Sequence, residues 1–171
     1  MAEDTVILAE DEALLKFEAT MASVWYPKGE QPEILVTGER KRKSFYGAID
    51  VKTGKEQVYV CDRQNQGETI ILLDQLKKVY LGRKILLFWD NAPWHRGKKI
   101  KRYLRKNKDL ELVPFPAYSP DLNPQEHVWK EARRNVSHNH ESEDFEELVS
   151  AFQNYLTTTT FSCNFLEKYK V

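Results

Sequence analysis

The stretch KILLFWDNAPWH spans residues 84–95, a short apolar run followed at once by Asp90 and Asn91. Short apolar runs of this kind are typical of buried strands, so Asp90 is expected at the end of one. Strands come first and then alternate with helices, which predicts an α/β fold with a mixed sheet and helices on both faces. The other predicted strands are residues 5–9, 44–51, 56–61 and 110–113, with residues 13–17 either a second strand or a continuation of the first. The helices are residues 67–81, 97–107, 123–136 and 142–156.

The composition limits the class of protein. The chain has 171 residues, 41% of them hydrophobic and 30% charged, which fits one soluble domain with a core. Its apolar runs are too short to span a membrane, and its acidic first residues show no signal peptide. Cys61 and Cys163 lack the spacing of a metal or redox site. They are therefore expected to be reduced and unpaired in a cytoplasmic protein.

The net charge is zero, which argues against a stand-alone nucleic-acid binder, but the charges are unevenly placed. Eight basic and no acidic residues lie between residues 96 and 108, on a segment whose apolar spacing predicts an amphipathic helix. Two interpretations stay open: a solvated helix face, or a surface that contacts DNA phosphates. The residues assigned to DNA contact are Lys98, Lys101, Arg102 and Arg105, with a second group at Arg40, Lys41, Arg42 and Lys43.

Three carboxylates occupy positions that could form a site. Asp11 follows the first predicted strand, Asp90 ends a strand, and Glu126 opens the helix after the last strand. Sites in open α/β sheets cluster at the carboxyl ends of parallel strands. Hard divalent cations prefer oxygen ligands, and two of them can serve both the attacking and the leaving oxygen of a phosphodiester. Converging carboxylates therefore fit phosphoryl transfer on DNA.

Each carboxylate also has a purely structural explanation. Residues 90–93 could form only a turn, and Glu126 could complete a capping box with Asn123 as N-cap. Asp11 could be one of three solvated charges at a strand end, because glutamates flank it on both sides. Local chemistry leaves these alternatives open. The rival carboxylates Asp50 and Asp121 lie next to turns and are expected to be structural.

Several polar residues stand close to these carboxylates in the chain. Asn91, His95 and Asn123 are expected to support the ligands without binding metal themselves. His127 could have a similar supporting role at most. A lone histidine is more often a packing or hydrogen-bonding residue than a metal ligand.

The motifs together are more specific than any single carboxylate. LLFWDNAPWH at residues 86–95 and PFPAYSPDLNPQEHVWK at residues 114–130 resemble the bacterial insertion-sequence branch of the Tc/mariner transposase superfamily. The Asp-Glu pair at residues 11–12 and the segment at residues 25–32 resemble that family's first motif and the segment that follows it. Asp90 and Glu126 have 35 residues between them, close to the superfamily's usual separation.

The resemblance implies an RNase H-like catalytic domain with a metal-binding triad. Carried onto this chain, the ligands are Asp11, Asp90 and Glu126, and the cofactors are two Mg²⁺ or Mn²⁺ ions per site. The implied activity is metal-dependent cleavage and strand transfer of duplex DNA, at element ends and target. It further implies a bacterial, nucleoid-associated location and a homodimer.

The same resemblance raises two expectations about chain organisation. Relatives carry N-terminal helix-turn-helix domains, which are expected to be absent here and to be supplied by a separate subunit or domain. A loop insertion is expected at residues 19–43, with Trp25 contacting the second subunit. The alternatives are another nuclease on the same fold, such as a ribonuclease, and an inactive remnant that serves as a DNA-binding or dimerisation module.

Overall fold

The computed structural model describes residues 5–18, 28, 40–116, 122–138, 140 and 142–162. A 3₁₀ turn follows the fourth strand, and a π-helical turn follows the third helix. The elements are β1 (Thr5–Lys16), β2 (Arg42–Asp50), β3 (Glu56–Cys61), α1 (Gln66–Val79), β4 (Lys84–Trp89), the 3₁₀ turn (Pro93–Arg96), α2 (Lys98–Lys106), β5 (Leu110–Pro114), α3 (Pro124–Ala132), the π-helical turn (Arg133–Ser137) and α4 (Phe145–Thr158).

The five strands form one mixed sheet in the order β3-β2-β1-β4-β5. The first three strands are antiparallel neighbours, whereas β1, β4 and β5 run parallel. The mixed sheet predicted from the element order is therefore confirmed. Its central strand, β1, is the strand that joins the antiparallel part to the parallel part.

Helices cover both faces of this sheet, as the sequence predicted. On one face α1 and α2 pack against β1 and β4, with Leu72, Leu76 and Ile100 fully buried. On the other face α3 and α4 pack around Trp129 and Phe152. Truncating one such large buried side chain to Ala typically costs about 3–5 kcal/mol, so the two cores hold the sheet between fixed helices.

β1 continues through residues 13–16, which the sequence left open as a second strand or a continuation of the first, so Asp11 lies inside β1 and not after it. The parallel ladder with β4 ends at the pair Ala9–Phe88, but the antiparallel ladder with β2 continues to Lys16 and Arg42. The second ladder keeps the chain extended past the point where the apolar run ends. Arg42 and Lys43 consequently belong to β2 and not to the expected loop.

The last helix begins later than expected. Asp144 and not Ser142 is the N-cap residue, and the first turn carries Glu146 and Glu147. Phe145 and Leu148 are buried, so packing against the sheet sets the start. Of the rest of the loop, only Lys28, Arg40 and Lys41 are described, so Trp25 lies outside the described residues, as do Asp121 and Cys163. Cys61 is a free cysteine. No helix within the described part of the chain is long and apolar enough to cross a membrane.

Candidate active site

The alternation of side chains along β1 assigns its acidic residues to different faces. Ile7, Ala9 and Ala13 belong to the α3/α4 core, so Asp11 points to that face. Val6 and Leu8 belong to the α1/α2 core, which places Glu10 and Glu12 on the opposite face. Three consecutive carboxylates thus enter two different environments.

Asp11 and Asp90 occupy equivalent places on neighbouring parallel strands. The last parallel pair is Ala9 with Phe88, and each aspartate lies two residues beyond its member of that pair. Phe115 donates its backbone N–H to the carbonyl of Trp89 at 2.7 Å, which holds the chain in place immediately before Asp90. The sheet itself therefore brings the two carboxylates side by side.

Glu126 reaches the same region from the first turn of α3. Asn123 is the N-cap, its side chain accepts the backbone N–H of Gln125 at 3.1 Å, and Pro124 fills the first helical position. Glu126 is exposed at the third position. Because capping is done by Asn123, the cap and a catalytic use of Glu126 are compatible.

The three carboxylates act on one another electrostatically. Burial raises the pKa of Asp11 to about 7, against the hydrogen bond from the Glu12 backbone N–H, and the charges of Glu12, Glu126 and Asp90 raise it further. The Glu12 N–H lies 2.8 Å from Asp11 Oδ1. Crowded carboxylates of this kind favour either a proton or a cation between them.

Asp90 is held in a different way, by donors. His95 Nδ1 lies 2.9 Å from Asp90 Oδ1, and the Ala92 N–H donates to the same oxygen at 2.7 Å. The hydrogen bond from His95 lowers the pKa of Asp90. Burial lowers the pKa of His95, but its hydrogen bonds to Asp90 and Glu12 outweigh that effect and raise it to about 10. The imidazole is therefore a cation that supports the Asp90 carboxylate.

His95 also connects to the far side of the sheet. Its Nε2 lies 3.1 Å from Glu12 Oε1 and 3.6 Å from Glu10 Oε2. Trp94 Nε1 donates to Glu12 Oε1 at 2.6 Å. The ring of Trp89 stacks on the imidazole, with 4.2 Å between the two ring centroids. The sequence did not reveal this burial: Glu10 and Glu12 are not solvated, with side chains 1% and 4% exposed.

Glu10, Glu12 and His95 present donor atoms within 4.8 Å of one another, a spacing that a metal ion could use. We interpret His95 and Glu12 as a hydrogen-bonded ion pair, with Glu10 buried beside it and not hydrogen-bonded to it. The Nε2 that a metal would need already contacts Glu12, and Trp94 occupies the same carboxylate oxygen. Burial raises the pKa of Glu10 well above its usual range, which favours a neutral acid over a third charge.

The other residues singled out in the sequence lie around this centre. Asn91 donates to the Phe115 carbonyl at 3.3 Å, so it braces the loop after β4. His127 is 57% exposed and lies 3.5 Å from Glu131, on the solvent side of α3. Asp50 accepts the backbone N–H groups of two turn residues, as a structural aspartate would.

The basic residues proposed for DNA contact are displayed in two places. All four on α2, together with Arg40, Lys41 and Arg42, are exposed. Lys43 is only partly exposed and pairs with Asp62 at 2.6 Å. On the other side of α2, Ile100 is buried in the core and Tyr103 donates to Asp74 at 2.6 Å. The helix is thus anchored by one face and charged on the other.

Comparison with known proteins places this arrangement in a family. The model described as "DDE superfamily endonuclease" matches residues 6–149. This chain belongs to the DDE superfamily endonucleases. The DDE domain is 24% identical over 155 residues to the "Insertion element IS630 uncharacterized 39 kDa protein" of Shigella sonnei, covering 90% of this chain and 45% of that protein. It is 41% identical over 56 residues to the Tcb2 transposase of Caenorhabditis briggsae, covering 33% and 20% respectively. The chain therefore spans less than half the length of either relative.

Solved structures resemble the DDE domain in fold. A mariner Mos1 paired-end complex with Mg matches with a TM-score of 0.71 at 16% identity, over 96% of this chain and 52% of that one. The Mos1 catalytic domain matches with a TM-score of 0.61 at 15% identity, over 96% and 76%. The RNase H-like α/β fold and the Tc/mariner resemblance expected from the motifs are confirmed.

Proposed function

We propose that Asp11, Asp90 and Glu126 of this DDE domain bind divalent cations and that the domain cuts and joins DNA strands. The observation that carries the proposal is the crowding of Asp11, a largely buried carboxylate whose pKa is raised by burial and by the charges of Asp90 and Glu126. A largely buried carboxylate that faces two further carboxylates has no structural benefit unless something positive joins it.

The donor set fits Mg²⁺ or Mn²⁺. All three side chains offer carboxylate oxygens, which these ions prefer. His95 and Ala92 both contact Oδ1 of Asp90, so the other oxygen, Oδ2, is the one that can face a cation. Two bound cations would supply a more acidic water or hydroxyl and a stabilised leaving oxygen.

The remaining work falls to the residues of the chain. His95 and the Ala92 N–H orient Asp90, the Glu12 N–H orients Asp11, and the first turn of α3 presents Glu126. In the proposed reaction, water attacks a phosphodiester at an element end and leaves a 3′-hydroxyl. That hydroxyl then attacks a phosphodiester of the target, which forms one P–O bond and breaks another. No covalent enzyme intermediate is required.

We infer that the exposed cations of α2 contact DNA phosphates. α2 follows the site closely in the chain, since only the 3₁₀ turn Pro93–Arg96 separates it from the loop after Asp90. Ile100 and Tyr103 fix the helix to the body of the domain, so its charges can be held against a duplex without refolding. Contacts of this kind bind any sequence.

Sequence-specific recognition and pairing of ends belong, in this proposal, to other parts of the assembly. A helix-turn-helix unit would read the element ends, and two copies of this chain would pair them. Light scattering tests the dimer, with Trp25→Ala combined with Leu35→Ala as the comparison variant. A wild-type chain that stays monomeric with and without DNA would contradict it.

Nicking of supercoiled plasmid tests the proposed activity. Wild-type protein should nick in Mg²⁺, and Asp90→Asn should abolish nicking while the fold survives, because the site loses a ligand charge. Glu111→Gln is the matched control, since Glu111 is an exposed carboxylate paired with Lys84. Wild-type rates in Asp90→Asn would refute the assignment. Preferential cleavage of RNA–DNA hybrids would favour a ribonuclease. Mn²⁺ binding that is unchanged when a triad residue is replaced would favour an inactive remnant.

A further inference from the structure

Gly47 is the cross-strand partner of Asp11 in the ladder between β1 and β2. A Cβ at this position would lie 2.3 Å from Gln125 Nε2 and 2.6 Å from Trp129 Cη2, far inside contact distance. The space next to Asp11 that a side chain would occupy is therefore filled by α3. Gly47 allows the helix that carries Glu126 to lie directly on the sheet.

A buried polar pair lies at this contact. Gln125 Nε2 donates to Glu56 Oε1 at 2.7 Å, and Gln125 and Glu56 are 0% and 5% exposed. Two buried atoms of the pair, Glu56 Oε2 and Gln125 Oε1, have no hydrogen-bond partner among the described residues. An ionised Glu56 could not relieve this, because a carboxylate only accepts.

A protonated, uncharged Glu56 would give both of these oxygen atoms a hydrogen-bond partner. Its Oε2–H can donate to Gln125 Oε1 while Gln125 Nε2 donates to Glu56 Oε1, which closes a cyclic acid–amide pair. Burial raises the pKa of Glu56 well above its usual range, although hydrogen bonds from the Gln125 side chain and the Ala48 backbone oppose the shift. Buried polar groups are costly when unpaired and nearly neutral when paired.

We propose that Glu56 and Gln125 are positioning residues, an uncharged pair that clamps the first turn of α3 to the sheet so that Glu126 faces Asp11. The proposal rests on the proposed metal site. Gln125 directly precedes Glu126, and Asn123 holds the Gln125 backbone while Glu56 holds its side chain. Glu56 itself begins β3, whose ladder with β2 pairs it with Ile49. The clamp thus connects the helix to β3, and through the β2–β3 ladder to β2, the strand that pairs with Asp11.

Mn²⁺ titration of the full chain, read beside its melting temperature, tests the clamp. Gln125→Met keeps the volume but removes the amide, and it should weaken Mn²⁺ binding about tenfold, the lower end for groups that orient metal ligands. Glu56→Leu should do the same, and Glu56→Gln should rescue the affinity that Glu56→Leu loses, because an amide can also donate to Gln125. The control is Val149→Ala in α4, which weakens the same core away from Glu126.

The readouts separate the clamp from general stability and from the metal site. If Gln125→Met and Val149→Ala lower the melting temperature by the same amount and also bind Mn²⁺ with the same affinity as each other, the positioning role is wrong. If Asp11→Asn binds Mn²⁺ as well as wild type does, the metal site itself is wrong. Infrared spectroscopy then tests the neutral pair separately. Glu56→Gln should remove one protonated-carboxyl band at neutral pH, and an unchanged spectrum would show that Glu56 is ionised.

Discussion

His95 Nδ1 lies 2.9 Å from Asp90 Oδ1, and the other ring nitrogen lies 3.1 Å from Glu12 Oε1. One imidazolium therefore joins the end of β4 to the neighbouring strand β1. Removing its charge should loosen Asp90 rather than unfold the domain, because Trp89 and Trp94 pack around the ring.

His95→Asn should weaken Mn²⁺ binding about tenfold or more, since it removes the charge-assisted bond that orients a ligand. Glu12→Gln should have a smaller effect in the same direction, because Trp94 keeps its acceptor. Calorimetric titration measures both, with His127→Asn on the solvent side of α3 as control. Equal affinities in wild type and His95→Asn would show that the imidazolium does not orient Asp90.

The basic face of α2 predicts a salt-dependent contact with DNA. Each phosphate contact contributes about 0.9 to the slope of log affinity against log salt concentration. Changing Lys98, Lys101, Arg102 and Arg105 to Ala should therefore flatten the slope by roughly 2–4. The matched control changes four other exposed cations to Ala: Lys52, Lys55, Arg63 and Lys78. If both variants have the wild-type slope, the helix face is merely solvated.

Glu56 predicts a pH dependence of stability with a defined sign. Burial raises its folded-state pKa well above the ordinary value of about 4.5, so the folded protein retains a proton that the unfolded chain releases. Unfolding free energy should then fall as pH rises from about 4.5, by up to about 1.4 kcal/mol per unit. Burial raises the pKa of Tyr80 to about 12, so this nearby group does not titrate in the same range.

Glu56→Gln should remove this contribution. Denaturant unfolding of wild type and variant between pH 4 and 8 measures the difference, which should grow in favour of the variant as pH rises. A constant difference would mean that Glu56 is ionised in the folded protein.

Gly47→Ala should weaken Mn²⁺ binding by more than its loss of stability explains. The new Cβ would displace Gln125 and Trp129, so Mn²⁺ binding should weaken together with melting temperature. Gly82→Ala is the comparison, because Gly82 has φ of 77° and open space around it. That variant should cost about 1 kcal/mol of stability through backbone strain and leave Mn²⁺ affinity unchanged. Parallel losses in both variants would contradict a specific role for Gly47.

The sequence predicted the parts of the site that local patterns record. An apolar run followed by Asp-Asn placed Asp90 at a strand end, and Asn123 with Pro124 placed Glu126 in the first turn of a helix. Both features depend on neighbours in the chain. They were therefore accessible before any tertiary contact was known.

The rest depends on partners far apart in the chain. Asp11 lies inside β1 because β2 extends the ladder, and residues 5–16 alone did not decide between one continued strand and two. Glu12 and His95 lie 83 positions apart, and Glu56 and Gln125 lie 69 apart. A glutamate at the start of a strand resembles a solvated charge until the helix that covers it is known.

The contact between Glu56 and Gln125 also limits which substitutions can be accepted at these two positions during evolution. Replacing either side chain alone by an apolar one leaves a buried polar group without a partner, whereas joint replacement by apolar side chains leaves none. Positions 56 and 125 should thus vary together across lineages, passing between a polar and an apolar solution. Asp11 can thus remain unchanged while the two residues that support the neighbouring helix are replaced together.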